Sequence, residues 1–288
     1  MVKKLFLVSG ATGFVGSHVK YELAVVRKKT VITVDRNLHF FLHNQGENPR
    51  QIENCEAIKF FENGDVTFIH CATKFLKFNN PNDVSLLLQA NVDFPLKILE
   101  FLRGISNLLV INLNSYWQAV DGKVGFSNST YADTKNEFIT RLKGTPEYDS
   151  FSHKDIYLFD TYGPQDKRDK LFPYLFERFQ HFDSLELNDV GQLMNFLHVN
   201  DVVSGILRVC EDSSSTNVFE LSSNYNFTLP LILEKFEKVF SKKIPCRWYS
   251  KEPLCYMKEK WNIAPTPTGW KETISLELGL SHMKKEIV

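Results

Sequence analysis

Two groups of residues in this chain have types and spacings suited to chemistry. The first is Val8-Ser9-Gly10-Ala11-Thr12-Gly13-Phe14-Val15-Gly16, between an apolar run and an amphipathic stretch. At a strand-to-helix junction, Gly10 permits a tight turn, Gly13 lets the backbone approach a pyrophosphate, and Gly16 lets helix pack on sheet. The helix that follows offers free N–H groups and a partial positive charge to phosphate. A glycine triplet alone is equally compatible with an ordinary strand–helix turn. Asp35 adds weight, ending the next apolar run 19 residues after Gly16. An acid there can accept hydrogen bonds from the ribose hydroxyls of NAD, while the adjacent Arg36 could instead hold the 2′-phosphate of NADP. The reading is NAD or NADP, with NAD favoured by Asp35.

The second group is Tyr131-Ala132-Asp133-Thr134-Lys135. Residues four apart on a helix share a face, so a phenol and an ammonium can converge there. A free tyrosine has a pKa near ~10, too high for efficient proton exchange at neutral pH, and a neighbouring Lys⁺ favours the phenolate. Taken by itself this spacing usually marks a solvated helix face. Downstream of a dinucleotide-type turn it reads as a proton donor with its tuning cation.

The elements that must position these groups alternate. Strand-like runs at Leu5–Ser9, Thr30–Asp35, Asp65–Cys71, Leu108–Leu113 and Ile156–Asp160 are separated by helical stretches at Phe14–Val26, Asn82–Leu102 and Tyr131–Leu142. Continuous apolar strands alternating with helices predict βαβ units and a doubly wound parallel sheet, an α/β fold. The stretch from Asn37 to Asn63 is harder to read, with one short strand near Gln51–Glu53. After Gly163-Pro164 the rhythm changes. Thr228, Leu229-Pro230 and an apolar stripe through Phe240 predict a capped, core-facing helix. The organisation predicted is a dinucleotide-binding domain over 1–163 and a smaller substrate domain over 164–288. The segment 195–222, including the strand-like Phe196–Val199, is a candidate to return to the first sheet.

Composition excludes several classes. Over 288 residues, 34 Lys and Arg balance 34 Asp and Glu, for a net charge of zero. No basic surplus is present to suit nucleic acid or an anionic membrane, and no apolar run approaches the ~18 residues of a membrane-spanning helix. The five cysteines are scattered without a CxxC pair, which argues against a disulfide scaffold or thiolate zinc site and predicts reduced thiols in the cytoplasm. The basic-then-apolar start runs directly into the glycine pattern and is not read as a targeting signal. His39 and His43, four apart, could share a helix face for a metal, but no third ligand accompanies them, so no metal is expected. His70 reads as a hydrogen-bonded core or cofactor-adjacent residue rather than a ligand, His198 as structural, and the 24 phenylalanines as core.

Together the motifs resemble the extended short-chain dehydrogenase/reductase family of nucleotide-sugar epimerases, dehydratases and ketoreductases. GATGFVGSHV looks like its cofactor turn, DVTFIHCAT like the strand and loop beneath the nicotinamide, and NVDFPLKILEFL like its long helix carrying an Asn, here Asn91. FDTYGP, NFLHVNDVV and GWKETISLELGL match later junctions in the family's order. Within the family, VINLNSYWQ, YADTK and LFDTYGPQDKRDKLFPYL are most similar to CDP-abequose and CDP-paratose synthases, which reduce the 4-keto group of a CDP-6-deoxy sugar.

The resemblance implies a Rossmann sheet with a smaller C-terminal substrate-binding domain. It also implies a general acid at Tyr131 and, at Lys135, a ribose-binding lysine that tunes it. Cofactor contacts are implied at Thr12, Phe14 and Val15 beside the three glycines, at Cys71, Ala72 and Thr73 after the third strand, and at Asn91 and Phe159. The family's triad hydroxyl aligns with Leu113, which cannot hydrogen-bond; Ser115 is a candidate substitute, or a turn serine. Met194 stands where the family usually has an Arg for the nucleotide diphosphate. Lys167, Arg168 or Lys170 could supply that charge, and Asp160 falls at a polar substrate contact. The Asp-Glu pair of the dehydratases is replaced by Asn114-Ser115, which disfavours dehydration. The implied activity is 4-ketoreduction of a nucleotide sugar in a homodimer. A 4-epimerase and a cofactor-binding relative that does not turn over are the alternatives.

Overall fold

The computed structural model describes residues 3–44, 47–76, 83–127, 129–181, 184–188, 191–251, 257, 259 and 261–285. Its strands are β1 (Lys3–Ser9), β2 (Thr30–Val34), β3 (Phe40–His43), β4 (Arg50–Ile52), β5 (Gly64–His70), β6 (Leu108–Ser115), β7 (Ser152–Leu158), β8 (Asp160–Tyr162), β9 (Leu185–Asn188), β10 (Phe196–His198), β11 (Val218–Leu221) and β12 (Cys246–Tyr249). Its helices are α1 (Phe14–Tyr21), α2 (Asn54–Glu62), α3 (Val84–Leu88), α4 (Phe94–Phe101), α5 (Thr130–Gly144), α6 (Leu171–His181), α7 (Val199–Cys210), α8 (Leu229–Phe240) and α9 (Leu276–Lys284).

Eight strands form one sheet in the order β11-β7-β6-β5-β1-β2-β3-β4. The strands from β11 to β2 run parallel, and β3 is antiparallel to β2. Both faces are covered, which is why the central strands read as unbroken apolar runs. One face, with Leu5, Leu7, Phe68 and Val110, packs under α4 and α5, where Ile98, Leu99, Phe138 and Leu142 close the layer. The other, with Val8, Ile69, Ile111 and Leu113, packs against α1 and α7 through Val19, Val202 and Ile206. The sheet is thus doubly wound, and the strand-to-helix turns that carry the chemistry gather at its C-terminal edge.

Several local expectations are revised. HFFLH is strand β3, not a helix face, because Phe40 and Leu42 point into the core while His43 bonds Thr33 across the pair at 3.0 Å. His39 and His43 therefore share no helix. The strand expected at Ile156–Asp160 divides: β7 ends at Leu158, and Asp160 opens β8. Strand β10 pairs with β8 rather than with the main sheet, whereas β11 pairs with β7 inside it. The first long helix becomes a π-helical turn at Glu22–Val26. The second is interrupted by another at Gln89–Asp93, and its expected start at Asn82 lies outside the described residues.

The C-terminal elements α6, α8 and α9 with β9 bury a separate cluster built on Phe172, Leu175, Phe236 and Leu280. Buried Asp201 of α7 ties it back. Its carboxylate accepts from Thr273 Oγ1 at 2.6 Å and from the backbone N–H groups of Thr273 and Ile274 at 3.1 and 2.8 Å. No helix of the described residues is long and apolar enough to cross a membrane.

Candidate active site

The turn after β1 is built for close approach. Gly10 has φ +68°, and a Cβ there would stand 2.6 Å from the backbone nitrogen of Ala72. A side chain at Gly16 would strike the Gly10 carbonyl, so helix and turn can touch only with hydrogen there. Gly13 is the N-cap of α1 and supplies no side-chain cap, and the first turn carries no acidic residue. Its leading N–H groups are therefore left to an external acceptor, which fits a dinucleotide's pyrophosphate. Thr12 is exposed beside them, with Phe14 and Val15 half-buried. At the end of β2, Asp35 Oδ1 accepts from the backbone N–H of Asn37 and of His39, both at 2.9 Å. Burial would raise the Asp35 pKa, but these bonds and the His39 ring outweigh it and hold the carboxyl below its ordinary value. Asp35 is thus an oriented anion where an adenosine ribose would lie, with Arg36 exposed alongside.

Helix α5 begins at the Ser129 N-cap, whose hydroxyl accepts from Ala132 N at 3.2 Å. Tyr131, Lys135, Phe138 and Leu142 recur on one face, and all are buried against the sheet. The Tyr131 phenol is reached by the hydroxyls of Ser115 and Thr73. Burial raises its pKa, opposed by hydrogen bonding to Thr73 and Ser115 and by the charge of Arg168. It is a phenol at neutral pH. Burial brings the Lys135 ammonium down to about 8 against the attraction of Asp155. Burial and the nearby Lys135 charge hold His70 at about 3, so it stays neutral while bonding Ser9 Oγ at 2.7 Å. Burial likewise pushes the Cys71 thiol up, and it is no thiolate.

Two hydroxyls thus stand beside Tyr131, those of Thr73 and of Ser115, the candidate substitute for Leu113. Leu113 points toward α7 and packs with Ile111, Ile156 and Leu158. Ser115 lies one pleat repeat further along, at the edge of the sheet, where the helix N-terminus passes over. It also caps the turn that follows, accepting from Trp117 N at 3.3 Å. Asn91, expected among the cofactor contacts, spends its amide on protein. Oδ1 accepts from Lys74 N at 2.7 Å and Thr73 Oγ1 at 3.1 Å, and Nδ2 donates to Lys74 O at 3.1 Å and Thr134 Oγ1 at 3.0 Å.

Around the phenol stands an aromatic wall that the sequence reading missed. Phe75 meets the Tyr131 ring edge-on at 5.1 Å and Trp117 at 5.4 Å. Tyr116 stacks on Phe159 at 5.0 Å and donates to Asp160 Oδ2 at 3.1 Å. Lys170 sits 4.3 Å from the centre of Phe75 with its Nζ 3.9 Å from Asp160 Oδ1. The aromatic pair immediately after Ser115 was the available signal. Arg168, expected on the substrate's diphosphate, lies over Phe14 of the cofactor turn, 4.2 Å from the ring centre. Met194 forms a reciprocal backbone bridge with Phe227 at 2.8 Å and packs on the C-terminal cluster. A buried polar group was also unforeseen: Asp155 Oδ1 accepts from Asn112 Nδ2 at 3.0 Å and Asn114 Nδ2 at 2.9 Å.

A glycine turn, an uncapped helix start and a Ser–Tyr–Lys group at the C-terminal edge of a doubly wound sheet define a dinucleotide-dependent class of protein. The chain belongs to the NAD dependent epimerase/dehydratase family, whose model matches residues 6–222. It is similar to CDP-abequose synthase of Salmonella muenchen, at 24% identity over 98% of this chain and 97% of that one. Among solved structures it resembles UDP-glucuronic acid 4-epimerase from Bacillus cereus in complex with UDP-glucuronic acid and NAD. The TM-score is 0.79 at 18% identity, covering 98% of both chains. UDP-N-acetylglucosamine 4-epimerase from Methanobrevibacter ruminantium also gives 0.79 at 18% identity, over 100% of this chain and 99% of that one. At these identities the solved structures speak for the fold alone.

Proposed function

We propose that the protein is a nucleotide-sugar 4-ketoreductase acting on a CDP-linked 6-deoxyhexose, with a nicotinamide cofactor and NADH preferred over NADPH. The observation that carries the reading is the buried Tyr131 phenol, protonated and met by the Thr73 and Ser115 hydroxyls, with Lys135 buried one helical turn further along α5. The similarity to CDP-abequose synthase over nearly the whole of both chains supports the substrate class.

When bound, the cofactor supplies the hydride to C4 of the sugar. Tyr131 donates its phenolic proton to the oxygen as that oxygen gains negative charge. The Ser115 hydroxyl orients the same oxygen, and Lys135 holds the cofactor ribose while its charge stabilises the phenolate left behind. Asp160 and Lys170 meet the polar edge of the sugar nucleotide. The dinucleotide lies on residues 1–163 and the sugar nucleotide against 164–288, in a cytoplasmic homodimer formed through α3–α4 and α5. A 4-epimerase, which oxidises and re-reduces the same carbon, is the alternative, and it would need no added reductant. The idea of a relative that does not turn over rested partly on Leu113, whose place in the core removes that support.

The test is to mix the protein with NADH or NADPH and a panel of CDP-, UDP- and dTDP-linked 4-keto-6-deoxyhexoses, following loss of reduced-nicotinamide absorbance. Consumption with a CDP-linked substrate, lost in Tyr131→Phe, is expected. No consumption with any member, or full activity in the variant, would sink the reading.

A further inference from the structure

We infer that Arg168 is a cofactor clamp, a cation that the β8–α6 loop holds over the phosphate-binding turn to engage the dinucleotide's pyrophosphate. The inference rests on the dinucleotide reading above and adds a contact from the substrate half of the chain.

Charged loops are usually solvated, and the sequence QDKRDK gives no reason to single out one cation. The structure does. Arg168 Nε and Nη2 grip the two Asp166 oxygens at 2.7 Å each, in a bidentate fork, and Nη2 also donates to the Thr161 carbonyl at 2.7 Å. The Asp166 side chain is only 1% exposed. A buried carboxylate in a planar fork fixes the guanidinium in position and plane, something a lysine would not allow. The face of that plane then rests on Phe14, 4.2 Å from the ring centre. Among the described residues, Nη1 has no hydrogen-bond partner, so its donors remain available.

The location is electrostatically unusual. Phe14 is the first residue of α1, whose N-terminus carries a partial positive charge and ordinarily attracts acids. Here the first turn holds no acid, and a guanidinium is secured beside it by an acid from another element. Asp166 offsets the guanidinium charge, while the helix N-terminus beside it has no acid of its own. A pyrophosphate on the turn would be met by helix N–H groups on one side and by Arg168 on the other. Lys170, seated on Phe75 and facing Asp160, points to the sugar side instead, so the two cations of one loop serve different ligands.

Calorimetric titration of NADH, ADP-ribose, adenosine and CDP into the full-length protein, Arg168→Ala and Arg168→Lys tests this without turnover. NADH and ADP-ribose should bind about tenfold more weakly to Arg168→Ala, a loss expected of one charge-assisted phosphate contact. Adenosine and CDP should be unaffected, and Arg168→Lys should fall between. Unchanged NADH affinity in a folded Arg168→Ala overturns the clamp and leaves the reductase reading standing. A loss confined to CDP overturns it in favour of a substrate diphosphate contact. Failure of the unsubstituted protein to bind NADH overturns the dinucleotide reading and the clamp together. If Arg168→Ala does not fold, Arg168→Lys decides, and equal NADH affinity there overturns the proposal.

Discussion

Asn91 Nδ2 lies 3.0 Å from Thr134 Oγ1 and ties the π-helical turn at Gln89–Asp93 to the helix that carries Tyr131 and Lys135. With its remaining bonds to Thr73 and to both backbone groups of Lys74, one buried amide braces three elements around the phenol. Asn91→Ala leaves the Lys74 N–H and the Thr134 hydroxyl short of partners in the interior. The expected cost is about 2–4 kcal/mol of stability, read by denaturant unfolding. Turnover should fall by about tenfold or more, because misplacing a reacting group by about an ångström is expensive.

Ser115 and Leu113 make a paired test. Ser115→Ala removes the hydroxyl from the Tyr131 phenol and the cap from Trp117 N. Activity should drop by about 10²-fold or more, with a stability loss of about 1 kcal/mol from the cap. Leu113→Thr, by contrast, puts a hydroxyl among Ile111, Ile156 and Leu158, away from the chemistry. It should give no rate gain and cost about 1–3 kcal/mol, visible as a lower melting temperature. A rate increase in Leu113→Thr would return the triad position to that strand residue.

These two residues also show what the sequence carried. The parallel core was legible because strands buried on both faces must be apolar throughout, as in Leu5–Val8 and Ile69. The Tyr131–Lys135 pairing was legible because a helix fixes its own periodicity. Where along β6 the sheet edge falls was not, since Leu113 and Ser115 share a side and only the turn capped by Ser115 separates core from site. Likewise, HFFLH satisfies both the period of a helix face and that of a short strand, and only pairing with β2 decides. Contacts made across the fold, such as Phe75 on Tyr131 or Arg168 on Phe14, leave no local trace.

Lys135 should set both a pH limit and a stability cost. An exposed lysine keeps its proton to 10.5, whereas burial brings Lys135 down to about 8. Between these values the unfolded chain binds more protons than the folded one, so stability rises with pH across that window. Below about pH 8 the buried charge is a constant penalty of roughly 3 kcal/mol. Lys135→Met should therefore abolish most turnover yet stabilise the protein at neutral pH by about 1–3 kcal/mol, the gain fading as pH approaches 10.5. Denaturant midpoints across pH check this. In the unsubstituted enzyme, reduction should slow above about pH 8 as the ammonium loses its charge.

Asp35 should decide between the two nicotinamide cofactors. Its carboxylate is oriented by the N–H groups of Asn37 and His39 and by the His39 ring at 3.1 Å, so it meets a ribose without first having to be ordered. A 2′-phosphate brought to the same place would face that anion, with only the exposed Arg36 to offset it. Asp35→Ser removes the repulsion, keeps a short polar side chain for the turn, and leaves Arg36 unopposed. NADH should bind about tenfold more weakly through loss of the charged hydrogen bond, and NADPH more tightly. The ratio of the two dissociation constants, measured by fluorescence of the bound reduced nicotinamide, should shift toward NADPH by more than tenfold. A ratio that stays put would mean that Asp35 serves only its own turn.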